Sequence, residues 1–213
     1  MIKVYCAGKI AKNDWRHDIF KELRNYERPS IQKEQPPKVD NFIYAGPYFI
    51  SCDHGCYHGP HTHGLGVDVG ISNCAGVDEE RITRSEVISK CLRWMSNSDI
   101  IFVWFDDITA YGTLVEIGIA KAINKPIFFA MKRELSVRYC EDCSAHALFG
   151  NHKDFWFAWE LADISIIVNN HLIAWNLFKG IADKMVKRDI DYNIPHLIYQ
   201  VDKNCVVVNV KQK

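Results

Sequence analysis

Apolar residues recur in this chain with two periods. Largely apolar, partly β-branched runs at 2–7, 42–45, 100–105, 127–131 and 164–168 predict strands. Runs at helical spacing predict helices over 15–26, where Ile19, Phe20 and Leu23 share one side, and over 80–96, 154–162 and 171–186. The run Ile100-Ile101-Phe102-Val103-Trp104-Phe105 has no polar member, the pattern of a strand covered on both faces, so it is expected to be central and parallel. After it, Ile117, Ala120 and Ile123 recur at helical spacing and are expected to pack on the sheet, and Lys125-Pro126 ends that helix. Residues 29–38 read as a polar, proline-bearing connector, and Gly46-Pro47 stops the second strand. Segments 196–201 and 205–210, about Asp202-Lys203-Asn204, predict a β-hairpin.

The strand and helix runs alternate, which makes the fold class α/β. The expected architecture is one domain over 1–213, a flavodoxin- or Rossmann-like parallel sheet with helices on both faces. To it are added a Cys/His-rich inserted loop at 46–78 and a C-terminal extension from about residue 190 that carries the hairpin. At 213 residues, 48% hydrophobic and 12% aromatic, the chain can bury a full core. Its 26 basic residues match its 26 acidic ones, leaving no net field to attract nucleic acid or an anionic membrane, so a small-molecule partner is expected. The start turns polar too quickly for a signal peptide, and no apolar run nears the roughly 20 residues that span a bilayer. The expected compartment is the cytoplasm, where the eight cysteines would be thiols or metal ligands and not a disulfide framework.

Open α/β sheets hold their ligands at the carboxyl ends of the strands. Asp106 and Asp107 stand at that end of the central strand, and Gly112, Thr113 and Glu116 follow. Gly112 is read as supplying backbone angles for a tight loop, and Glu116 as lying in the first helical turn, where the dipole favours an ionised carboxylate. At the end of the first strand, Tyr5, Gly8 and Lys9 are the corresponding candidates. Gly8 and Lys9 would cradle a phosphate or ribose, or form an ordinary strand-to-helix turn. Tyr5 would orient a nucleophile through its hydroxyl, or fill the core.

The segment Tyr5-Cys6-Ala7-Gly8, followed later by Gly112-Thr113-Leu114-Val115-Glu116-Ile117-Gly118, resembles the nucleoside 2-deoxyribosyltransferase family and its nucleotide N-glycosidase relatives. The likeness runs from Met1 to near Met131, around a long unmatched insert. It implies that Glu116 attacks the anomeric carbon of a (deoxy)ribose to give a glycosyl-enzyme ester, which water or a second base then resolves. It also implies a nucleoside or nucleotide substrate, no cofactor, and a homo-oligomer. An acid must protonate the departing base. Many family members carry an Asp six residues before the nucleophile and another on the preceding helix, where this chain has Ala110 and Cys91. Asp106 or Asp107 is therefore expected to take that role, one of the pair being pushed towards its protonated form by repulsion and partial burial, with Asp106 favoured and Asp53 a further candidate. The alternative is a non-catalytic sensor of a nucleotide-derived ligand with the same fold.

The insert concentrates Cys52, Asp53, His54, Cys56, His58, His61 and His63, with Cys74 soon after. Thiols and imidazoles are zinc ligands, and a zinc protein using this loop is a further alternative. The spacing fits no standard knuckle, and Cys140-x2-Cys143 with His146 supplies only half a site, so no metal is assigned. Instead Asp53 and His54 are read as contacts to ribose hydroxyls or a base edge, against a surface loop whose polar residues cap one another.

Overall fold

The computed structural model describes residues 1–11, 14–23, 36–48, 84–137, 155–189, 198–201 and 204–210. The chain divides into two compact units, Met1–Tyr5 with Ile10–Ser98, and Cys6–Lys9 with Asp99–Lys213. The insert, including Asp53 and His54, and the segment holding Cys140, Cys143 and His146 lie outside the described residues.

In the first unit, β1 (Ile2–Ala7) runs parallel to β3 (Phe42–Tyr44) with Ile2 opposite Phe42 and Val4 opposite Tyr44. A short β2 (Lys38–Val39) pairs antiparallel with β3. The connector read from the sequence therefore ends in a tight hairpin, whose Asp40-Asn41 turn places Asp40 at φ 51°. Helix α1 spans only Trp15–Ile19, shorter than the expected 15–26. The chain leaves the helix at Phe20, whose ring meets Tyr44 edge-on at 5.1 Å, and Phe20 and Leu23 are both buried. Helix α2 (Arg84–Ser96) buries Trp94 and Met95 in its last turn.

The second unit contains β4 (Ile100–Phe105), α3 (Tyr111–Ala122), β5 (Ile127–Lys132), α4 (Arg133–Val137), α5 (Trp156–Leu161), β6 (Ile164–Val168), α6 (His171–Lys187), β7 (Ile198–Val201) and β8 (Asn204–Val210). Its strand order is β4-β5-β6-β8-β7. The pairs β4–β5 and β5–β6 are parallel, with Ile101 opposite Ile127 and Phe128 opposite Ile164, while β8 joins β6 antiparallel. The sheet is thus mixed and mostly parallel, and the class is α/β. The expected hairpin is present as β7–β8, and β8 pairs with β6, so the hairpin extends the sheet.

Every residue of β4 is buried, as its unbroken apolar run requires. Phe102 stacks on Phe128 at 5.7 Å and meets Trp175 at 5.2 Å and Phe178 at 5.1 Å, both from the buried stripe of α6. Full burial of side chains of this size contributes about 1.5–3 kcal/mol each. On α3 the buried stripe is Thr113, Ile117 and Ala120; Ile123, expected on the same stripe, is 40% exposed because the helix has already ended at Ala122. At the next strand, the Ile127 amide donates to Asp163 Oδ2 at 2.8 Å, and the Asp163 amide donates to the Ile127 carbonyl at 3.0 Å, fixing the start of β5. Among the described residues no helix is long and apolar enough to cross a membrane.

Candidate functional site

The loop from Asp106 to Ala110 leaves the carboxyl end of β4 and delivers the chain into α3. Lys9, from the end of β1, belongs to the same unit and reaches this loop. Its Nζ lies 2.5 Å from Asp107 Oδ2 and donates to Thr109 Oγ1 at 2.9 Å. The Thr109 amide and hydroxyl both donate to Asp107 Oδ1, each at 2.7 Å. Asp107 therefore accepts on both oxygens, one from a cation and one from an Asx-type turn. Just before Lys9, Gly8 takes a positive φ of 157°, which glycine adopts freely.

This network decides the state of Asp107. The Lys9 ammonium, then the Thr109 hydroxyl and amide, draw its carboxyl down to about 2, against a small opposing effect of burial. Hydrogen bonds to the charged form favour that form. Asp107 is consequently a carboxylate at neutral pH and has no proton to give, which corrects the expectation that either of the adjacent pair could serve as the acid. Asp106, half-buried directly after β4, is left as the candidate from that pair.

Glu116 sits on α3 and is half-buried, but it is the sixth residue of the helix and the first turn holds no acidic residue. The helix starts at Tyr111, so Glu116 lies in its second turn and not in the first, where the sequence reading put it. Dipole stabilisation fades beyond the first turn, so that source of ionisation does not apply to Glu116. Gly112 is the second residue of the helix, exposed, and a Cβ there would meet nothing beyond the helix's own neighbouring residues within 4 Å. Its loop reading is thereby corrected. Thr113 is buried on the sheet-facing stripe, and Tyr5 is fully buried in the first unit.

Of the residues singled out in the sequence, the structure joins Lys9 with Asp107 and carries Asp106, Asp107 and Glu116 on one strand–loop–helix segment. Thr109 was missed. Its signal was the Asp-x-Thr spacing, which lets a carboxylate accept from the backbone two residues on. Among the described residues no three of His, Cys, Asp and Glu are grouped to hold a metal ion.

No protein-family model, curated protein or solved structure matches this chain.

Proposed function

We propose that this protein cleaves or transfers at the N-glycosidic bond of a nucleoside or nucleotide, with Glu116 as the nucleophile. One observation carries the reading: three carboxylates, Asp106, Asp107 and Glu116, follow the carboxyl end of a fully buried parallel strand, and Asp107 holds the Lys9 ammonium at that end. That edge is where ligands bind in open α/β sheets. A flavodoxin- or Rossmann-like arrangement is part of the proposal, supported by the parallel β4–β5–β6 order with α3 crossing between the first two strands. So is the resemblance to nucleoside 2-deoxyribosyltransferases in the segments around Tyr5–Gly8 and Gly112–Gly118.

In the proposed reaction a Glu116 oxygen bonds to the anomeric carbon as the carbon–nitrogen bond breaks, and its electron pair passes to the base. Asp106 gives the base its proton. Water or an incoming base then attacks the anomeric carbon, Asp106 takes the proton lost by that attacker, and Glu116 leaves as a carboxylate. Asp107, kept ionised, holds the Lys9 ammonium where it can neutralise a substrate phosphate or a developing charge. Gly8, in the same unit as this loop, completes the proposed substrate set, with no cofactor required. A second copy of the chain is included, since Tyr111 and Val115, one turn apart on α3, are exposed, as are Trp156 and Phe157 on α5.

The test is base release from ribo- and deoxyribonucleosides, their monophosphates and NAD, by the native chain and by Glu116→Gln. The native chain should release base from at least one class, and the variant should lose about a thousandfold or more of that rate while still binding substrate. A native chain that binds but releases nothing would leave the sensor reading in its place. A fully active variant would remove Glu116 from the chemistry.

A further inference from the structure

Proton supply is the narrow point of the proposed reaction. A base joined to the sugar through a neutral ring must be protonated as the bond breaks, because the bonding pair would otherwise leave it as an anion. Every residue of the loop after β4 is described, and its acids are Asp106 and Asp107, since Ile108, Thr109 and Ala110 follow. Asp107 is held as a carboxylate on both oxygens, by Lys9 Nζ at 2.5 Å and by the Thr109 amide and hydroxyl at 2.7 Å. The Thr109 hydroxyl is itself committed to Asp107 and accepts from Lys9 at 2.9 Å.

Lys9 also removes a reason for Asp106 to hold a proton. A like charge beside a carboxyl favours its protonated form, but here the ammonium offsets the Asp107 charge at contact distance. Of the two causes expected to press a proton onto Asp106, partial burial is the one left. A carboxyl at its ordinary value near 4 is protonated in about one molecule in a thousand at pH 7.

A different leaving group removes the requirement. Where the ring nitrogen bonded to the sugar already carries positive charge, the pair returned to it on cleavage cancels that charge, and the base departs neutral with no proton added.

We propose that the substrate of this site is a nucleoside or nucleotide whose base is a cationic aromatic ring, an N-ribosylpyridinium being the simplest kind. This rests on the N-glycosidic reading and narrows its substrate. A Glu116 oxygen bonds to the anomeric carbon, the carbon–nitrogen pair passes to the ring nitrogen, and the neutral ring leaves. One cation and one carboxylate thus become a neutral base and an ester. Water then attacks the same carbon, Asp106 takes its proton, and Glu116 departs ionised. On such a substrate Asp106 acts in the second step alone, and as the carboxylate.

NAD tests this within one molecule, because its nicotinamide is joined to ribose as a pyridinium and its adenine as a neutral purine. The native chain at about pH 7 should release nicotinamide at least about a hundredfold faster than adenine, the span a general acid otherwise supplies. NADH, whose dihydronicotinamide ring is uncharged, should lose that ring at least about a hundredfold more slowly than NAD, each net of its uncatalysed rate. Nicotinamide riboside and its mononucleotide are the smaller arms, for a site that does not admit a dinucleotide. First-turnover release of nicotinamide should stay level between about pH 6 and 8, where a step needing an acid falls about tenfold per unit above that acid's pKa. Base release from neutral nucleosides or nucleotides and from none of the three pyridinium substrates, or a tenfold-per-unit fall with pH, would overturn the proposal and leave the glycosidic reading standing. Release of base from no substrate of either kind would remove both.

Discussion

Lys9 and Asp107 are 98 residues apart in sequence, yet Nζ and Oδ2 lie 2.5 Å apart, so the end of β1 is tied to the loop that follows β4. The tie has an electrostatic consequence that can be measured. Replacing Lys9 with Met should raise the Asp107 carboxyl from about 2 towards the ordinary carboxylate value near 4, and Thr109→Val should raise it by a smaller amount. Carboxyl-carbon NMR titration reads this directly. Because the folded value is depressed, the linked stabilisation is complete above the ordinary carboxylate range and is lost as pH falls through about 2. The pair is solvent-accessible, so that stabilisation should stay within about 1 kcal/mol. A carboxyl titrating normally in the native chain would show that the pair does not form in solution.

The strands were the most readable part of the sequence because burial on both faces leaves an unambiguous signature. Ile100 to Phe105 is apolar without interruption and is buried without interruption. Local turn chemistry was harder to read. The β2–β3 hairpin turns on Asp40-Asn41, a polar pair that blended into a connector already full of prolines and charges. Glu116 was read into the first turn of α3 and is its sixth residue. Ala110 caps the helix with no side-chain hydrogen bond, so no Ser, Thr, Asp or Asn marked the boundary from which the turns could be counted. The Lys9–Asp107 contact joins residues far apart in sequence, and neither residue's local pattern announces the other.

A buried ion pair near the start of the chain should be costly to break. Asp14 accepts from Arg16 Nη1 at 2.7 Å and from the Arg16 amide at 3.0 Å, and the Arg16 side chain is fully buried. Burial alone would raise the Asp14 carboxyl, but the Arg16 charge and hydrogen bonds from His17 and the Arg16 and Ala11 amides outweigh it and hold the group below its ordinary value. Arg16→Met should therefore strand a buried carboxylate and cost about 3–5 kcal/mol in urea unfolding at neutral pH. The loss should shrink in acid, because the stabilisation from a depressed carboxyl is present above its unfolded value and fades as pH falls below it. A variant as stable as the native chain at pH 7 would contradict the pairing.

The aromatic cluster of the second unit should dominate its stability. Phe102 touches Phe128, Trp175 and Phe178 and has no exposed surface. Truncation to Ala removes the ring and leaves a cavity among three rigid partners, which should cost about 3–5 kcal/mol. Phe102→Leu keeps most of the volume and should cost appreciably less. Calorimetric melting of both variants would expose a cluster of minor importance if their midpoints matched.

Two glycine-to-alanine substitutions should move stability in opposite directions. Gly118 lies inside α3 with no atom within 4 Å of an added Cβ, so alanine meets no obstacle and loses less backbone entropy on folding. Gly118→Ala should stabilise by about 0.5–1 kcal/mol. Gly46 is held at φ 121°, where side chains are strained, and its Cβ would press on Trp94 at 3.1 Å. Gly46→Ala should destabilise by about 1–3 kcal/mol. It should also loosen the edge-on Trp94–Tyr48 contact. Urea midpoints for the two variants supply the comparison. A stabilised Gly46→Ala would mean that Trp94 can retreat from the added Cβ and that its packing against Tyr48 is yielding.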